Sequence, residues 1–329
     1  MSHTPLFEVS DLRVSFGRGA AAREAVRGLS LSLAAGEVLG IVGESGSGKS
    51  LAMLSALGLN PEGSEVRGSV RFQGREIAEL PRAALQKIRG AQIGMVFQDP
   101  LSSLNPVMRV GAQIMEALYL HNPRLTRREA EERATELFER VAIAQARDRL
   151  RAFPHEFSGG MRQRVMIAMA IANTPALLIA DEPTTALDVT VQAQIMEMLS
   201  DLQKRLNLGL VLITHDLGVL AGYADRVAVV YAGQVVEQAP VHALFARPAH
   251  PYTRGLMAAS ADLSQPGEAL YSIPGTPPPA GPLPPGCPFA PRCDRAGAIC
   301  RETPPPLRRA PDGAAEARCH FAWQDGECR

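Results

Sequence analysis

The stretch Gly43-Glu44-Ser45-Gly46-Ser47-Gly48-Lys49-Ser50 follows the apolar run Glu37–Val42 and precedes a helical pattern over Lys49–Leu57. It matches the pattern G-x-x-x-x-G-K-S/T in the strand–loop–helix setting that the pattern's mechanism needs. The glycines allow a tight loop and close backbone approach to phosphate oxygens. N–H groups of the loop and of the helix start then face the anion. Lys49 is placed to reach β- and γ-phosphates, and the Ser50 hydroxyl to ligate Mg²⁺.

This loop sits in an alternation of strands and helices. Ala176–Ala180 and Leu210–Thr214 are further short apolar runs, as expected for buried parallel strands. Gly159–Ala172 and Val191–Leu206 have helical patterns. The fold expected is α/β with a covered parallel sheet. Phe7–Phe16 and Gly68–Gln73 alternate more like antiparallel strands. Residues 100–155 contain no strand-like run, and Thr126-Arg127-Arg128-Glu129 is a capping box opening a charged helix to about Ala144. This stretch reads as an all-helical insertion.

Side chains suited to phosphoryl chemistry close the apolar runs. Asp181-Glu182 follows Ala176–Ala180, where one carboxylate can hold Mg²⁺ and the other polarise an attacking water. Gln98 follows Ile93–Phe97 and can touch both metal and water, and His215 ends the third run, where it can contact a transferring phosphoryl group.

Charge and composition narrow the partners. Lys+Arg and Asp+Glu are both 34, so no broad basic field attracts nucleic acid or an acidic membrane surface. No apolar run approaches the roughly 18 residues of a spanning helix. The Met1–Pro5 start has no signal-peptide pattern, which points to the cytosol. All five cysteines lie in the last 43 residues, and seventeen of 26 prolines lie after position 239. In a reducing compartment, clustered thiols suggest metal more than disulfides. Their spacing is C-x₅-C-x₆-C-x₁₈-C with no C-x₂-C pair, and four thiolates can hold Zn²⁺ or a 4Fe–4S cluster equally well.

Phe157-Ser158-Gly159-Gly160-Met161-Arg162-Gln163-Arg164 supplies a second helix start built for an anion, with Ser158 as N-cap. One phosphate needs one such cradle, so a second implies a partner's site. The stretch resembles the signature motif of ATP-binding-cassette (ABC) ATPases, with Met161 where many relatives carry Gln. The resemblance covers residues 6–240 and implies a P-loop ABC cassette with a RecA-like core, an antiparallel β subdomain and a helical subdomain at about 100–155 that docks on transmembrane partners. It implies ATP and Mg²⁺ as ligands. Gly43, Glu44, Ser45, Gly46, Ser47, Gly48, Lys49 and Ser50 then cradle the phosphates. Phe16 matches the aromatic under adenine, and Gln98 the Q-loop. Asp181 matches the Walker B aspartate, and Glu182 the catalytic base. Asp188 falls in the D-loop, and His215 matches the switch histidine. Mg²⁺ falls to Ser50, Gln98 and Asp181. In this family two cassettes pair head-to-tail, each ATP lying between one loop and the other's Ser158-Gly159-Gly160.

His250–Leu256 and Gly286–Cys293 resemble the C-terminal extension of oligopeptide/dipeptide-type ABC importers. The tail, 241–329, is expected to form a separate Cys/Pro-rich extension. The resemblance implies an ATP-hydrolysing subunit for peptide uptake at the cytoplasmic face of the membrane, bound peripherally. Its partners would be a second ATPase subunit (a paralogue or itself), two permease subunits and, indirectly, a solute-binding protein, with no nucleic acid. It also favours a 4Fe–4S cluster on Cys287, Cys293, Cys300 and Cys319 over Zn²⁺, leaving Cys328 spare. Alternatives are a soluble ABC ATPase of translation or DNA repair, and an importer of nickel or another small solute.

Overall fold

The computed structural model describes residues 4–17, 22–260, 271–278 and 281–323. The chain forms two compact units. One comprises residues up to 6, 34–37 and 79–212; the other comprises 7–33, 38–78 and 213 onward.

In the second of these, Arg23–Leu33, Phe7–Phe16, Ser64–Phe72 and Arg75–Glu76 lie in that order in an antiparallel sheet. Phe7, Val9, Leu12 and Val14 all point inward, although Val9 and Leu12 are three apart. A bulge absorbs the extra residue, with Asp11 at φ 47°, and restores the alternation that buries one face.

A second set of strands in the same unit carries the phosphate loop. Val38–Val42 is fully buried and runs parallel to Arg226–Tyr231, which turns at Ala232-Gly233 into antiparallel Gln234–Pro240. This hairpin goes unnamed by the apolar-run reading. Beyond it the tail joins the same sheet: Glu316–Ala317 pairs with Gln234–Pro240, and Arg308–Arg309 with Glu316–Ala317. The tail's backbone is thus hydrogen-bonded into the sheet whose strand feeds the phosphate loop.

In the other unit, Ile93–Val96 and Leu177–Asp181 pair in parallel, and Gly209–Leu212 follows in the strand order. The described residues of 100–155 are helical wherever regular, with Val110–His121 and Arg127–Arg140 the longest helices. The expected capping box is present: Glu129 N–H donates to Thr126 Oγ1 at 3.3 Å, and Thr126 N–H to Glu129 Oε2 at 2.8 Å. Ala130, Ala134, Leu137 and Phe138 form its buried stripe.

The helix stops at Arg140, short of the expected Ala144. Ala142 turns left-handed at φ 56°, its N–H bonds Glu139 O, and Ile143 N–H reaches back to Phe138 O. That is a Schellman ending, held by burial of Ile143. Other boundaries shift by one to four residues. Gly159–Ala170 ends two residues early, Val189–Leu206 starts two residues early, and Ser64–Phe72 starts four early. Among the described residues no helix is long and apolar enough to cross a membrane.

Candidate nucleotide site

The loop opens at a glycine because nothing larger fits. A Cβ on Gly43 would lie 2.1 Å from the Val230 carbonyl oxygen on the neighbouring strand. Gly46 and Gly48 take φ of 76° and 97°, and Ser47 N–H closes a turn onto Glu44 O at 3.2 Å. The helix Lys49–Ala56 has no side-chain N-cap and no acid in its first turn, which suits a helix start that meets an anion. Lys49 is buried, and its Nζ donates to the carbonyls of Gly43 at 2.7 Å and Glu44 at 2.9 Å. Ser45 and Gly46 are exposed, and Ser50 is half-buried in the first helical turn. The same unit holds Phe16, half-buried at the end of its strand, and His215, exposed just after Thr214. Asp216 caps the helix after His215, its Oδ1 accepting Gly218 N–H at 2.8 Å.

The other unit brings Gln98 and Glu182 together. Gln98 Nε2 donates to Glu182 Oε2 at 2.8 Å, and the Thr185 hydroxyl donates to the same oxygen at 2.7 Å. Glu182 sits at φ 46°, a left-handed geometry that a glutamate adopts only where its surroundings impose it. Asp181 precedes it, buried at the strand end. Thr185 opens the stretch Thr185-Ala186-Leu187-Asp188 that resembles the D-loop, and its contact with Glu182 emerges only from this geometry.

Ser158 caps the helix Gly159–Ala170, its Oγ accepting Met161 N–H at 3.3 Å. Gly160 is a packing requirement, whereas Gly159 has room for ordinary contact. A Cβ on Gly160 would lie 2.6 Å from Val191 Cγ1, and one on Gly159 3.4 Å from Leu187 Cδ2. Asp188, expected near ATP, caps the helix Val189–Leu206, its Oδ1 accepting Val191 N–H at 2.9 Å.

The tail brings Cys287, Cys293, Cys300 and Cys319 to line one pocket with His250 and His320, all as free thiols. Cys287 N–H donates to Cys300 O at 2.7 Å, tying two of the loops together. Burial pushes the thiols of Cys287 and Cys319 up, and that of Cys293 up to about 11. Among the described residues no group of three or more His, Cys, Asp or Glu is arranged to hold a single metal ion. Cys328 lies outside the described residues.

Two residues of the tail stretches that resemble the importer extension also reach the phosphate loop, a contact that the resemblance does not mark. Arg292 forms a bidentate pair with Glu44, at 2.6 and 2.8 Å, and the Tyr252 hydroxyl accepts Glu44 N–H at 2.8 Å.

Residues 26–185 match the family described as ABC transporter, and residues 236–300 the family described as oligopeptide/dipeptide transporter, C-terminal region. The chain is 51% identical over 300 residues to the oligopeptide transport ATP-binding protein OppD of Salmonella typhimurium, covering 91% of this chain and 89% of that one. It is 50% identical over 312 residues to the protein of the same name from Bacillus subtilis, covering 94% and 87%. Among solved structures, the ATP-binding cassette MJ0796, in a dimeric post-hydrolysis state bound to ADP and Pi, matches with a TM-score of 0.64. It is 28% identical and covers 71% of this chain and 98% of its own.

Proposed function

The chain belongs to the ABC transporter family, and on that premise we propose that it is the ATP-hydrolysing subunit of a membrane importer of di- and oligopeptides. The observation that carries the hydrolytic part is Glu182, held by Gln98 and Thr185 beside Asp181. The peptide part rests on the match of the tail to the oligopeptide/dipeptide C-terminal region, which also favours it over a soluble ABC ATPase or a nickel importer.

The loop residues Gly43–Ser50 bind the triphosphate, with Lys49 on the β- and γ-phosphates and Phe16 under adenine. Ser50, Asp181 and Gln98 each offer the hard oxygen donor that Mg²⁺ takes, and the ion would neutralise charge developing on the phosphoryl oxygens. Glu182 accepts a proton from the attacking water, Gln98 orients that water, and His215 contacts the γ-phosphate. Positioning and charge supply the catalysis.

Ser158, Gly159 and Gly160 complete the site of a second cassette, which contributes the same residues in return, and Asp188 lies where the two cassettes meet. We take 6–240 as the ATP-binding domain, its helical part at 100–155 docking on two permease subunits, and 241–329 as the importer-type extension. The subunit associates peripherally with the cytoplasmic face, and a separate solute-binding protein delivers the peptide.

Four soft thiols around one pocket suit a 4Fe–4S cluster. A single Zn²⁺ on the same thiols is the alternative occupant; among the described residues no group of three or more His, Cys, Asp or Glu is arranged to hold a metal ion. Bound there, the cluster would cross-link three segments of the tail.

Affinity purification of the full chain from membranes tests both readings. Permease subunits should co-purify, and an anaerobic preparation should contain about four irons per chain. Ribosomes or DNA in place of permease would overturn the transport assignment, and one zinc without iron would overturn the cluster.

A further inference from the structure

Glu44 is the second residue of the phosphate loop, and its carboxylate is a poor neighbour for a polyanion. The fold deals with it from far along the chain. Arg292 Nη1 and Nη2 grip the two carboxylate oxygens, a parallel two-bond geometry available to guanidinium and not to ammonium. The Arg292 side chain is 4% exposed and Glu44 26%, so the pair is shielded from solvent and weakly screened. Arg292 is itself held in place. Its Nε donates to Pro274 O at 2.9 Å, and its guanidinium lies 5.8 Å from the Tyr231 ring centroid and 5.9 Å from that of Phe289. Tyr252 takes the Glu44 N–H and Lys49 takes its carbonyl, so the residue is tied at every polar atom.

We propose that Arg292 is a positioning residue for nucleotide binding: it neutralises Glu44 and holds that carboxylate away from the incoming phosphates. The proposal rests on the phosphate loop binding MgATP. Without Arg292 the loop would present an uncompensated carboxylate to ATP. The cost should fall on nucleotide affinity, and removing the Glu44 charge as well should lift it. Arg292 lies in the short turn Ala290–Arg292 between Cys287 and Cys293, so one turn of the tail borders both the thiol pocket and the phosphate loop.

The test measures MgATP dissociation constants on the full chain, together with kcat and KM for hydrolysis and thermal unfolding. Wild-type binding of MgATP is the check on the underlying reading. Arg292→Ala should weaken binding about ten-fold, raising KM while kcat at saturation stays near wild type. Arg292→Lys should fall between the two, keeping the charge without the fork. Arg292→Ala combined with Glu44→Gln should bind MgATP more tightly than Arg292→Ala alone. Undiminished affinity in Arg292→Ala would overturn the proposal. So would a double variant that binds no more tightly than the single one, or one whose recovered affinity merely follows recovered thermal stability, because losing the partner's charge also relieves a purely structural ion pair.

Discussion

Gln98 Nε2 and Glu182 Oε2 are 2.8 Å apart, so the Gln98 amide is already bonded to the carboxylate proposed as the base. The Thr185 hydroxyl bonds the same oxygen. Together they hold one carboxylate oxygen fixed in a backbone conformation that is unfavourable for glutamate.

Glu182→Gln keeps the size of the side chain and removes its basicity. MgATP binding should persist while turnover falls by a factor of about 10² to 10⁴, the usual worth of a positioned base. Phosphate release and equilibrium nucleotide binding, measured on the same preparation, separate the two effects. Near-normal turnover would refute the role of Glu182.

Gly43→Ala should damage the loop more than its size suggests. The added methyl meets the Val230 carbonyl at 2.1 Å, and neither backbone can retreat without parting Val38–Val42 from Arg226–Tyr231. We expect a loss of about 1–3 kcal/mol in urea unfolding and loss of ATP binding. Gly46→Ala meets nothing within 4 Å and bears only the strain of φ 76°, so it should be the milder change.

Ser158→Ala removes the cap on Met161 N–H and should cost about 1 kcal/mol of stability. It should also weaken ATP-dependent pairing of cassettes, read by gel filtration in the Glu182→Gln background. Ser158→Thr keeps a capping hydroxyl and should recover most of the stability. Equal pairing by Ser158→Ala and wild type would argue against a place in the partner's site.

His250 is fully buried, and its Nδ1 accepts Tyr252 N–H at 3.0 Å, which requires the neutral ring. Burial, with a smaller push from Arg254, lowers its pKa to about 3. The unfolded chain therefore takes up a proton that the folded chain refuses. This contribution to stability is present above about pH 6.5 and is lost as pH falls toward 3. His250→Asn keeps a capping acceptor without a titrating group, so its melting temperature should fall less steeply over that window. Parallel slopes for variant and wild type would refute the assignment.

Where chemistry is local, the sequence was sufficient. The phosphate loop, the Asp181-Glu182 strand end and the Ser158 cap each need only a few consecutive residues of the right type between a strand and a helix. Helix ends were less legible. The stop at Arg140 depends on Ile143 finding a buried place, and the early start at Val189 on Asp188 capping its own helix. The first is no property of the segment in isolation; the second is a local cap that the apolar pattern alone passes over. The strand pair Arg226–Tyr231 and Gln234–Pro240 went unnamed because its burial is supplied by neighbours from both ends of the chain.

The sequence by itself determined that this chain cradles phosphate and which family it resembles, because those motifs are short-range geometry written in glycines and caps. Only the tertiary structure decided that four scattered thiols share a pocket and that Arg292 closes on Glu44. Those two residues are 248 apart in sequence. No local rule pairs them: the contact exists because the tail's strand Glu316–Ala317 joins the sheet that carries the phosphate-loop strand, and Phe289, Tyr231 and Tyr252 pack beside it.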